Sequence, residues 1–121
     1  MEITKSYLRQ NPDHIFVFGD NLQRKGKGGA AKLRDEPNTY GFITKKAPNN
    51  NDGSFYKPEE YKDKFDFELR KLEKEIMNNP DKTFLISRLG GGLADKYNIR
   101  EKVIEPGLTR LKSYDNVVFL D

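Results

Sequence analysis

Cysteine is absent from this chain and histidine occurs once. The first absence excludes a disulfide framework and a thiolate metal site, and the second excludes a histidine-rich metal cage. No apolar segment approaches the roughly 18 residues that a membrane span requires, and the opening "MEITKSYLRQ" lacks the apolar stretch of a signal peptide. A soluble, cytoplasmic protein is therefore expected, without membrane partners. No glycine-lysine-serine or glycine-lysine-threonine run occurs, and no well-formed dinucleotide fingerprint, so neither an ordinary kinase nor a Rossmann dehydrogenase is expected. Charge of neither sign dominates. Lysine and arginine outnumber acidic residues by 22 to 19, and their interspersion favours anionic partners only weakly.

What is present fits one domain over residues 1–121, large enough to bury roughly two-thirds of its unfolded surface around one core. Four short runs rich in β-branched and aromatic residues, each bounded by turn formers, read as strands. They are "HIFVF" (14–18), "TYGFIT" (39–44), "TFLIS" (83–87) and "NVVFL" (116–120), and "ITKSYL" near the start reads as an additional edge strand. Near-continuous apolarity in the first, third and fourth suggests strands covered on both faces, as in a parallel or mixed sheet with helices on each side. Pro58 followed by Glu59 and Glu60 makes a favourable first helical turn. Tyr61, Phe65, Leu69, Leu72 and Ile76 then recur at spacings of three and four, and "NNPD" ends the helix. Shorter helices are expected over 28–34 and 99–111, the latter kinked or divided by Pro106. Alternating strands and helices make the class α/β, with three layers. The polar stretch between Lys45 and Lys57 reads as a flap-like loop.

Two glycine-rich segments each follow a strand. In "FVFGDNLQRKGKGGAAKLR" the strand runs into Gly19, Asp20 and Asn21, and "GKGGAA" then opens a helix; in "FLISRLGGGLADKYN" three consecutive glycines follow Arg88 and Leu89. Ligands of open α/β sheets collect at the carboxyl ends of strands, and glycine lets amide groups approach a phosphate without a clashing Cβ. Two such loops side by side would form a cradle for anionic oxygens. Tight turning and close helix packing are the plainer explanation of either loop alone.

These segments resemble those of macrodomains, the α/β modules that bind ADP-ribose, over about residues 15–120. "VFGDN…GKGGAAKL" is similar to the family's asparagine loop and glycine-alanine helix start. "LISRLGGGLADKY" is similar to its diphosphate loop, and "EKVIEPGLTRL…NVVFL" to its closing helix and strand. The resemblance implies a three-layer α/β/α fold with a mixed central sheet, and a ligand held by Gly19, Asp20, Asn21, Gly26, Gly28, Gly29, Ala30, Arg88, Gly90, Gly91, Gly92 and Leu93. "GFITKK…GSFYKPEEYKDKF" also follows the order of a subgroup that removes ADP-ribose from nucleic-acid bases or acidic side chains. That likeness implies roles for Thr44 and Ser54, with Lys45 attacking the opened distal ribose and Asp95 moving the proton. Ile43 stands where the subgroup has proline, and Asp95 is displaced by one residue from the matching position.

Several of these residues have a simpler role open to them. Asn21 either bonds the distal ribose hydroxyls or caps a turn. Asp20 either reads an adenine amino group or ribose, or belongs to a turn. His14 has no evident triad partner and is expected to be structural. Phe55 and Tyr56 either stack on a base or anchor the flap, and Arg24, Lys25 and Lys27 either hold phosphates or keep the surface soluble. The functional expectation is binding of ADP-ribose or a related NAD-derived nucleotide, free or attached to nucleic acid or protein, with hydrolysis of ADP-ribosyl linkages as one outcome. A non-catalytic sponge for a signalling nucleotide is the alternative, by analogy with compact lysine-rich phage proteins, and direct nucleic-acid binding is the third. No cofactor or metal is implied.

Overall fold

The structure, a computed structural model, describes residues 2–120, the Leu93 side chain excepted. Its centre is a parallel sheet of four strands: β1 (His14–Asn21), β2 (Thr39–Lys45), β3 (Thr83–Ile86) and β4 (Val117–Phe119), in the spatial order β2-β1-β3-β4. The strands lie where the apolar runs place them. The expected mixed sheet is instead parallel throughout, because every link between successive strands is a helical crossover and none is a hairpin.

Alternation along β1 sends Phe16 and Phe18 to one face and Val17 to the other. On Val17's face, α2 (Pro58–Asn78) lays Tyr61, Phe65, Leu69, Leu72 and Ile76 against Phe42, Phe84 and Ile86, joined by Ile99, Ile104, Leu108 and Leu111. Each such side chain contributes roughly 1.5–3 kcal/mol by leaving water. On the opposite face Phe16, Phe18 and Leu85 are covered by Ile3, Leu8, Ala31 and Leu33. Two covered faces make the three layers that the strand and helix pattern implies.

The start of the chain differs from its expected edge strand. It forms α1 (Lys5–Gln10), whose first turn is held by Thr4 Oγ1 accepting from the Tyr7 amide at 3.0 Å. The expected helix over 28–34 is a 3₁₀ turn, Gly29–Leu33. The expected 99–111 helix changes form along its length, with a π-helical turn at Arg100–Ile104, α3 at Glu105–Leu108 and a 3₁₀ turn at Thr109–Ser113. Pro106 has no amide hydrogen, and its ring excludes the carbonyl four residues back, so regular α-helical bonding gives way to the wider turn ahead of it.

The outer edge of β2 is closed by side chains. Ile43 N–H donates to Glu68 Oε1 at 2.8 Å, Tyr61 OH donates to Ile43 O at 2.5 Å, and Arg24 Nη1 donates to Gly41 O at 2.8 Å. Helix α2, together with Arg24 from the loop after β1, thus supplies the hydrogen bonds that a fifth strand would make there.

The β1-to-β2 connection crosses one face of the sheet, and the two later connections cross the other. Between β1 and β3 the connections therefore diverge. The C-terminal ends of these strands leave a crevice, the place where open parallel sheets bind ligands.

Candidate functional site

A cleft of about 430 Å³ occupies that crevice. Gly19, Asp20 and Asn21 line it from the end of β1, Thr44 and Lys45 from the end of β2, and Ser87, Arg88 and Gly90 to Gly92 from the segment after β3. The loop before the 3₁₀ turn closes the remaining side with Lys25, Gly26, Gly28, Gly29 and Ala30. Both glycine segments and the end of β2 therefore meet in one place, although they are far apart in sequence.

Each glycine loop lines the cleft and carries amides without a partner in the protein. Among the described residues, the N–H groups of Gly28, Gly29, Ala30, Gly90 and Gly92 have no protein acceptor. Gly90 is confined to glycine for two reasons. Its φ is +72°, and a Cβ there would collide with Ile104 Cδ1 of the fully buried core. Close packing against the core and an unpartnered amide thus coincide at one residue.

Asp20's carboxylate is engaged within the protein. Its Oδ1 accepts from Arg34 Nη2 at 2.7 Å and from the Asn21 amide at 2.8 Å, and its Oδ2 accepts from Arg34 Nη1 at 3.1 Å and Arg24 Nη1 at 3.3 Å. Four donors fill the four acceptor positions of a carboxylate. Arg34 goes on to bond Gly26 O at 2.7 Å and Lys25 O at 3.0 Å, so the buried pair fastens the loop to the end of β1. Asn21 is also engaged: Nδ2 donates to Lys25 O at 2.8 Å, and Oδ1 accepts the Gln23 amide at 3.0 Å. Its turn-capping role is the one observed.

Lys45 lies at the cleft wall with Nζ 4.7 Å from the centroid of the Phe55 ring. No carboxylate lies within ion-pairing distance of it among the described residues. Burial alone holds its ammonium below the ordinary lysine pKa. Lys25 and Arg88 add charge of the same sign, and with Asp20 neutralised the wall is cationic.

Three expected site residues lie elsewhere or outside description. Asp95 is not part of the wall. Its Oδ1 accepts the Arg100 amide at 3.2 Å, five residues ahead, which turns the carboxylate into a cap for the following helical stretch. Ser54 is buried in the flap with Oγ donating to Asn49 Oδ1 at 2.5 Å, away from the cleft. Leu93's side chain lies outside the described residues. Phe55 and Tyr56 are both 7% exposed and anchor the flap, with Tyr56 packed against Tyr61 at 4.9 Å between centroids. His14 does not line the cleft, and its Nδ1 is bonded to Tyr7 OH at 2.7 Å.

Sequence reasoning missed Ser87 in the lining, Arg34, which acts across 14 positions, and Pro48, which brings the flap to within van der Waals reach of Gly26. A charged residue at a helix end and a loop proline carry no local mark of such contacts. Among the described residues no cluster of potential ligands is placed to hold a metal ion, and no helix is long and apolar enough to cross a membrane.

Residues 1–95 match the model of a family of unknown function, DUF7831, and the chain belongs to that family. No curated protein and no solved structure matches it.

Proposed function

We propose that this DUF7831 member binds ADP-ribose or a related NAD-derived nucleotide, its diphosphate lying between the Gly26–Gly29 and Gly90–Gly92 loops. The observation that carries the reading is the convergence of open amides from two glycine loops with Lys25, Lys45 and Arg88, in a cleft whose carboxylate is already neutralised. Amides that need no desolvated counter-ion, beside fixed cations, favour diphosphate oxygens. The volume of about 430 Å³ falls within the roughly 300–1,000 Å³ usual for small-ligand sites. The macrodomain-like order of motifs supports ADP-ribose over other diphosphates.

Binding without turnover is the form best supported. Proton transfer beside Lys45 needs a carboxylate in the cleft with lone pairs to spare, whereas Asp95 lies outside the cleft wall and Asp20's acceptor positions are filled. Such a protein sequesters a nucleotide signal, the role a phage counter-defence sponge would play. Hydrolysis of ADP-ribosyl linkages on nucleic acid or protein is the second reading. It is favoured by the depressed pKa and unpaired state of Lys45, which suit an amine attacking an aldehydic sugar carbon.

Calorimetry with ADP-ribose and cyclic ADP-ribose tests the binding. Absence of heat at about millimolar ligand, a concentration that detects affinities near −4 kcal/mol, refutes it. Incubation with ADP-ribosylated DNA and protein separates the two forms. Release of label that Lys45→Ala abolishes identifies a hydrolase, and intact nucleotide recovered after denaturation identifies a sponge.

A further inference from the structure

We propose that a second anion subsite, built to take a phosphate group, lies across the Gly90–Gly92 loop from the cleft, among Arg88, Arg100 and Lys112. A depression of about 570 Å³ opens there at the C-terminal ends of β3 and β4, with Leu108 and Phe119 in its walls. Three cations and one carboxylate, Glu105, line it.

Arg100 distinguishes this depression from an ordinary solvated basic surface. Its side chain is only 12% exposed, and Nη1 donates to Leu89 O at 2.6 Å. Its Nε is buried and has no hydrogen-bond partner among the described residues. Glu105 Oε1 approaches to 3.2 Å without the alignment of a hydrogen bond, on a side chain that is 53% exposed. A guanidinium carries five donors in a rigid fork, and burying it costs free energy unless acceptors fill that fork. One carbonyl and one half-exposed carboxylate leave the fork underfilled. A phosphate supplies the planar pairs of acceptor oxygens that arginine bonds best.

Arg88 joins the depression to the cleft, because it lines both. Its side chain is exposed and makes neither hydrogen bond nor ion pair among the described residues, and its stem lies over Gly91, where a Cβ would sit 3.2 Å from its Cγ, Cδ and Nε. Lys112 is likewise without an ion pair among the described residues, whereas its neighbour Arg110 is bound to Glu73 at 2.6 Å. The ligand class that fits both hollows is a small nucleotide carrying a further phosphate monoester, one anionic group on the cleft amides and the other beyond Gly91. The subsite stands on its own three residues, and only the bridging ligand rests on the nucleotide reading of the cleft.

Inorganic phosphate is the probe, titrated into the full chain at constant ionic strength while arginine Nε–H and backbone amide resonances are followed by NMR. The expected result is saturable movement of the Arg88 and Arg100 Nε–H signals with a low-millimolar Kd, weakened about three- to tenfold by Lys112→Gln and by Arg88→Gln. Both variants change exposed side chains, so the fold is retained, which an unchanged amide spectrum verifies. Movement confined to the Gly26–Gly29 and Gly90–Gly92 amides, no saturation up to about 20 mM phosphate, or affinity indifferent to both variants overturns the subsite. The first of these leaves the cleft reading standing. Saturable binding at Arg88 and Arg100, with no heat from ADP-ribose, keeps the subsite and removes the nucleotide reading.

Discussion

Replacing Arg34 by alanine strips a buried carboxylate of its principal partner. Asp20's side chain is 2% exposed and Arg34's 13%, so their pairing is largely screened from water. Removing one member of such a pair typically costs about 3–5 kcal/mol, most of it the expense of leaving the other charge buried. Arg24 remains as a donor at 3.3 Å, but it is 46% exposed and already bonds Gly41 O, which puts the expected loss near the lower end, about 3 kcal/mol. At a urea slope of about 1.5 kcal/mol/M the unfolding midpoint falls by about 2 M, a large share of the roughly 6–18 kcal/mol expected for a chain this long. Arg34→Lys keeps the charge and loses the fork, and should fall between. A cycle with Asp20→Ala isolates the pair, with an expected coupling of about 2 kcal/mol. The same variant frees the Gly26 carbonyl and leaves Lys25 O to Asn21 Nδ2 alone, so exchange of the Ala31 amide, which donates to Gly28 O at 3.1 Å, should quicken more than that of the Gly91 amide, which donates to Arg88 O at 3.2 Å. A destabilisation by Arg34→Ala below about 1 kcal/mol, or a coupling near zero, refutes the account of Asp20 as the anchor of this loop.

Gly90→Ala combines left-handed backbone strain with a collision against a core isoleucine that has nowhere to move, and should cost about 2–4 kcal/mol in urea titration, whereas a neutral result contradicts the packing beneath the loop. Glu68→Ala leaves the Ile43 amide without an acceptor and should cost about 2–4 kcal/mol, while Glu68→Gln keeps an oxygen there and should cost less than about 1 kcal/mol; equal losses would mean that charge, rather than the acceptor, closes the strand edge. Burial disfavours the charged form of Lys45, so its charge is lost as pH rises through a pKa below the ordinary lysine value. Affinity for an anionic nucleotide should therefore weaken with rising pH before the ordinary lysine range is reached, and Lys45→Arg should flatten the profile by calorimetry. For stability the sign is opposite: the penalty for charging Lys45 is present at low pH and fades as the group deprotonates.

What could be read from sequence was local. Helix α2 was legible because five apolar residues at helical spacing follow a proline and two acids, and the strands because apolar β-formers sit between turn residues. The meeting of the two glycine segments at a cleft followed from their positions just after strands. Roles that depend on partners distant in the chain were hidden. Asp20 and Asn21 looked available until Arg34 and the Lys25 carbonyl were seen to occupy them. Asp95 resembled a catalytic acid by position, yet a carboxylate just ahead of a helical turn finds the nearest open amide, and Arg100 supplied it. "ITKSYL" has the composition of a strand, and Thr4's cap together with burial of Leu8 against the opposite face outweighed that propensity. Parallel pairing throughout depended on the crossovers, which no single run discloses.

The closed edge of β2 limits how copies of this chain meet one another. An incoming strand would find Gly41 O, Ile43 N–H and Ile43 O already taken by Arg24, Glu68 and Tyr61, and would have to displace a helix held by a whole row of core side chains to reach them. Neither continuous-sheet dimerisation nor fibre growth can start from that flank. Any self-association by sheet extension must use the β4 side, and the cleft lies on the end of the sheet rather than on that flank.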